Sequence, residues 1–104
     1  RASEKIVSSL MSEVDAAYAQ LKSGDSKSAA ETLDKAIEHW LTLDGYTHIF
    51  IRHSEINSTT EAFFQFRSDI GSGDADAAEG SYGLLSETLR SIMTMEQISL
   101  GSIF

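Results

Sequence analysis

The sequence predicts an all-α protein, an antiparallel four-helix bundle with short connections, and three observations carry that prediction. Proline is absent from all 104 residues, so no helix interior is interrupted by a missing N–H. Apolar residues recur three and four apart along four separate stretches, which is the period of one helix face. The seven glycines stand as punctuation between or near those stretches, without the regularly spaced Gly- and Pro-rich turns that sandwiches and barrels need. A chain of this length reads as one domain, residues 1–104.

The first stripe runs through Val7, Leu10, Val14, Ala17 and Leu21, widened by Ile6, Met11 and Tyr18. Lys22 suits the negative end of that helix and Gly24 supplies its stop. The second helix has two candidate starts. One is Asp25 as N-cap and the other a capping box, Ser28-x-x-Glu31. Both lead into Ala29, Leu33, Ala36, Trp40 and Leu43.

Asp44-Gly45 next resembles a hairpin turn, and the following YTHIFI suits a strand. No second strand is available to pair with it, and a lone strand is not viable. Thr47 and Phe50 also continue the helical stripe. The expectation is therefore one long helix from Ser26 to Arg52, with Gly45 costing about 1 kcal/mol relative to alanine and marking a kink.

Arg52-His53-Ser54-Glu55 reads as a tight turn into a third helix that carries Ile56, Thr59, Phe63, Phe66 and Ile70. A second capping box, Ser58-x-x-Glu61, offers a later start, and Gly71–Gly73 ends the helix. In this reading His53 serves the carbonyls at the end of the second helix, while Ser54 and Glu55 serve the start of the third. Asp74 caps a fourth helix with Asp76 and Glu79 in its first turn, where carboxylates are favoured. Its stripe is Tyr82, Leu85, Leu89 and Ile92, broadened by Leu84, Met95 and Ile98. Gly80 and Gly83 predict fraying or close helix approach, and the apolar tail LGSIF is expected to pack back on the bundle. SGDSKSAAE at Ser23 recurs as SGDADAAE at Ser72. We read this as convergent capping, since Gly-Asp followed by alanines both ends one helix and starts another.

The chemistry-bearing residues do not form a motif. Without cysteine there is no disulfide, zinc–thiolate site or thiol nucleophile. His39 and His48 lack the i,i+3 or i,i+4 spacing of a helical metal pair, and no Glu-x-x-His occurs. Asp74-x-Asp76 starts like a calcium loop, but Glu79 stands where the loop needs glycine and Leu85 where it needs glutamate. No phosphate loop, dinucleotide fingerprint or nucleophile elbow is present. The sequence supports no catalytic residue, cofactor or metal ligand, and the expectation is a protein that is not an enzyme. Most of the aromatics Trp40, Tyr46, Phe50, Phe63, Phe64 and Phe66 fall on core stripes. Phe64 lies off them and, if exposed, marks a contact surface.

A formal charge of −8, from eight basic and sixteen acidic residues, argues against nucleic acid and against direct docking on anionic lipid. No apolar run spans a membrane. The chain begins at Arg1 rather than methionine, which reads as a chain trimmed of an N-terminal segment, a signal or an anchor.

Trp40 late in the second segment, the His53-Ser54-Glu55-Ile56 turn and the SLGSIF ending together resemble a bacterial domain-of-unknown-function family, number 4363. Ser102 stands where the family's tail carries asparagine. Trp40, His53, Glu55 and Ile56 are the matching positions, and the resemblance gives them no role. It implies a small protein with an N-terminal membrane segment and an extracytoplasmic helical domain, and it implies no activity. Two functions follow as expectations. The first is a non-catalytic interaction or accessory module, tethered outside the membrane, that binds another protein, a membrane protein among the candidates. The alternative is a small-ligand or metal-binding bundle with a site near His48, His53 and Glu55.

Overall fold

The computed structural model describes residues 2–43 and 53–103, with side chains described for 7–43 and 54–95. Four helices account for almost all of them: α1 (Ala2–Lys22), α2 (Ser26–Thr42), α3 (His53–Ser72) and α4 (Ala75–Ile103). The three-residue turn between α1 and α2 and the two-residue turn between α3 and α4 reverse the chain, so neighbours run antiparallel. α1 packs on α2 and α4, and α3 packs on the same two helices, which closes a four-membered ring. The bundle measures 46 × 22 × 20 Å. Its long axis matches α4, whose 29 residues span about 43 Å at ~1.5 Å each.

Each turn is built from the repeated Gly-Asp pair. Gly24 and Gly73 adopt φ of 92° and 75°, the left-handed region that glycine enters without steric cost. Asp25 and Asp74 then cap the next helix. The Asp25 carboxylate accepts from the Ser28 N–H at 3.0 Å, and the Asp74 carboxylate accepts from the Ala77 N–H at 3.0 Å. Between the two candidate starts of α2, Asp25 is the cap. Ser28 and Glu31 lie inside the helix. The same two residue types thus do the same job twice.

The stripes meet in one core. Val7, Leu10, Val14 and Ala17 of α1 face Ala29, Leu33, Ala36 and Trp40 of α2, Phe63, Phe66 and Ile70 of α3, and Ala78, Leu85, Leu89 and Ile92 of α4. Burying one Leu, Ile or Phe side chain contributes about 1.5–3 kcal/mol, so this single cluster is the main source of stability. Buried Thr59 and Ser81 are satisfied within their own helices, donating to the carbonyls of Glu55 and of Ala77 and Ala78. Along the α1–α4 seam Tyr18 stacks on Tyr82 at 4.0 Å, and Phe66 reaches the pair from α3.

The structure corrects several expectations. α2 closes at Thr42 with Leu43 as C-cap, whose N–H donates to the Trp40 carbonyl. The expected continuation to Arg52, with its kink at Gly45, lies at residues 44–52, outside those described. His53, Ser54 and Glu55 form the opening turn of α3 instead of a turn between helices. The expected service of His53 to carbonyls at the end of the second helix falls on residues outside those described. The Ser58 box does not cap either, because the Ser58 hydroxyl donates to the Ser54 carbonyl inside α3. Leu100 to Ile103 continue α4, and the packing of their side chains and of Phe104 lies outside what is described. Gly80 and Gly83 do not mark close helix approach, since a Cβ at either would meet nothing within 4 Å. Leu84 does not broaden the core stripe and is 61% exposed.

Candidate functional site

The matching positions of the sequence reading gather where α2 ends and α3 begins. Trp40 is 4% exposed and its ring stacks on Phe63 at 5.8 Å. Its indole N–H donates to the Thr60 hydroxyl at 2.8 Å, and that hydroxyl donates in turn to the Ile56 carbonyl at 2.8 Å. Trp40 and Ile56 are therefore joined through Thr60, a residue the periodicity did not single out. Ile56 packs partly buried against the core. Glu55 is half-buried, and its Oε2 is fully enclosed without a hydrogen-bond donor.

For the alternative site, His48 lies outside the described residues and the His53 side chain is not described. Among the described residues no group of three His, Asp or Glu side chains is placed to hold a metal. His39 points to solvent, as its place beside Trp40 implied, and its Nδ1 donates to the Glu13 carboxylate at 2.9 Å across α1 and α2.

Two clefts lined by described residues open on the bundle surface. One, of about 270 Å³, sits at the end made by the two Gly-Asp turns and is lined by Leu21, Gly24, Ser26, Asp69, Asp74 and Ala75 among others. Its carboxylates already have donors. Asp74 accepts from the Ala77 N–H, and Asp69 accepts from the Gln65 side chain at 3.1 Å. Asp25, at the same end, is held below its ordinary pKa chiefly by the Ser28 backbone N–H and then by the Ser28 hydroxyl.

The second cleft, of about 320 Å³, is a groove between α3 and α4 lined by Ser58, Glu61, Ala62, Gln65, Leu84 and Thr88. Leu84 stands on its rim. Elsewhere Leu41 and Phe64 are also exposed, at 52% and 51%. Arg67 bridges α3 to α2 by donating to Asp34 at 2.7 Å, and Arg90 pairs with Glu87 one turn earlier on α4.

Nothing in this geometry assembles a nucleophile, a base and an orienting acid. Among the described residues Tyr82 is the one phenol hydrogen-bonded to a carboxylate. Its hydroxyl donates to Asp15 at 2.7 Å, and that bond, with partial burial and the Asp15 charge, holds its pKa above the ordinary value. Lys22 lies 4.7 Å over the neighbouring Tyr18 ring. The Tyr82–Asp15 bond ties α4 to α1.

The model of the family described as a domain of unknown function, DUF4363, matches residues 2–103. The chain belongs to the DUF4363 family. No curated protein and no solved structure matches it. The DUF4363 assignment agrees with the resemblance carried by Trp40, His53, Glu55 and Ile56, and it brings no activity with it. None of the described helices of this DUF4363 domain is long and apolar enough to cross a membrane.

Proposed function

We propose that this DUF4363 domain is a non-catalytic interaction module that binds another protein through a helix face. The observation that carries the reading is the placement of Leu84 and Phe64. Each helix buries a complete apolar stripe in the shared core, yet these two large side chains stay 61% and 51% exposed. Leu84 borders the α3–α4 groove, where a large apolar group offers a contact surface, and Phe64 adds a second exposed ring on α3. The protein would act outside the membrane, held there by a segment N-terminal to this domain, as the family resemblance implies.

The test uses the full gene product in its own cell. A photo-reactive residue at position 84 or 64 is expected to crosslink to a defined protein, whereas one at Glu31, on an exposed face of α2, is not. Equal crosslinking from all three positions would sink the reading. This domain has no cysteine of its own, so comparing Ser91→Cys with its parent gives a parallel check of location. A membrane-impermeant maleimide should label that variant in intact cells, and labelling only after lysis would exclude an extracytoplasmic module.

A further inference from the structure

The α3–α4 groove has a floor of small groups and one carboxylate, Glu61, on its wall. Ser58 to Gln65 follow it for about two turns, or ~10 Å, and Ala62 and Thr88 keep its floor shallow. Leu84 rises from one wall and Glu61 from the other. Charge is one-sided here. From residue 54 to 95 the acids are Glu55, Glu61, Asp69, Asp74, Asp76, Glu79 and Glu87, while the bases are Arg67 and Arg90 alone. Both bases are engaged, Arg67 by Asp34 on the opposite side of α3 and Arg90 by Glu87. Glu61 is exposed and takes part in no ion pair among the described residues.

We infer that this groove is a docking site for a basic amphipathic helix of a partner protein, with apolar residues laid along Ala62, Leu84 and Thr88 and a lysine or arginine against Glu61. The inference rests on the interaction reading above and specifies its partner. A groove between two antiparallel helices offers no sheet edge for an extended strand, whereas a helix can set anchors one turn apart along it. Charge selects the sign of the partner. A second copy of this chain would bring another −8 and, in a two-fold contact, set one Glu61 rim against another. Anionic lipid meets the same repulsion.

The probe is a synthetic helical peptide with leucine at every third and fourth position and lysine elsewhere; its control carries glutamate in place of each lysine. Amide shifts of the labelled protein are expected to move at Ser58, Glu61, Ala62, Gln65, Leu84 and Thr88 with the lysine peptide and not with the control. Leu84→Asp and, separately, Glu61→Lys should each weaken binding about tenfold or more. Rising salt should weaken it in the parent but much less in Glu61→Lys. Both positions are exposed, and a circular dichroism spectrum like the parent's verifies each fold. Shifts confined to the Leu41 and Phe64 positions, equal binding of the control, or a sedimenting dimer that Leu84→Asp dissolves would each overturn the inference. Crosslinking from position 84 in cells without peptide binding in the groove would defeat this inference alone; loss of that crosslinking would defeat the interaction reading as well.

Discussion

The indole N–H of Trp40 is bound by the hydroxyl of Thr60, and that hydroxyl passes its own proton to the Ile56 carbonyl one turn back in α3. This relay locks the last turns of α2 to the first turns of α3 and satisfies the one polar atom of a nearly buried tryptophan. Removing the whole side chain is expected to be severe. Trp40→Ala should cost about 3–5 kcal/mol, a large share of a small domain's stability. Thr60→Val should cost about 1–3 kcal/mol by stranding the indole N–H. Chemical denaturation of Trp40→Phe, Thr60→Val and the double variant checks the relay. The double variant should be more stable than the sum of the two single losses predicts. Strict additivity would mean that the two side chains do not act together.

Glycines at different backbone conformations should respond oppositely to alanine. Gly24 and Gly73 have positive φ and open space for a Cβ, so only backbone strain opposes substitution. Gly24→Ala or Gly73→Ala is expected to destabilise the bundle by about 1–2 kcal/mol. Gly80 and Gly83 lie within α4 with nothing in the way, so alanine there should stabilise by about 0.5–1 kcal/mol. Thermal melts of the four variants decide the matter, and stabilisation at Gly24 would show the turn to be otherwise built.

The cap of α4 should be worth about 1 kcal/mol, read as the loss on Asp74→Ala. For Asp25 the expected signature is a pH dependence. Its folded pKa lies below 3.8, so the stability it contributes is complete above that value and is lost as pH falls through the folded one. Asp25→Asn should flatten the acid limb of a stability–pH curve, and an unchanged limb would contradict the Ser28 contact.

Tyr82 should govern the alkaline limb. Its folded pKa is raised above 10.0 by the bond to Asp15 and by partial burial. The folded state therefore holds this proton more tightly than the unfolded chain. The associated stability is fully present below pH 10 and is lost as pH rises through the folded value. Denaturation curves between about pH 9 and pH 11 should show a falling stability that Tyr82→Phe flattens. A Phe variant with the parent's slope would remove Tyr82 from the account.

Zinc, nickel or manganese is expected to leave the melting temperature unchanged, because the histidines lack the i,i+3 or i,i+4 spacing of a helical metal pair and no Glu-x-x-His occurs. A rise that His48→Ala or His53→Ala abolishes would promote the alternative site beside Glu55.

Much of the architecture was legible in the residues themselves. Val7, Leu10, Val14 and their counterparts on three more helices are core because a 3.6-residue period puts them on one face, and that geometry needs no tertiary information. The Gly-Asp turns were equally local. A left-handed glycine followed by a capping aspartate ends one helix and starts another wherever it stands. DUF4363 membership was legible too, from Trp40 and the Glu55-Ile56 pair.

Other features depended on packing. Ser58-x-x-Glu61 has the form of a cap, and His53-Ser54-Glu55 that of a turn, yet both lie within α3 because a helix continues wherever its next residues gain contacts. Thr60 carries no periodic signal of its own. It became the partner of Trp40 only when α2 and α3 were laid side by side, since hydrogen bonds between helices depend on their relative rotation. Leu84 sits at the edge of an apolar arc whose width the sequence shows but whose coverage it does not. Packing leaves Leu84 exposed in the groove it shares with Ser58, Glu61 and Gln65 of α3, and that arrangement is decided by how the helices are laid together.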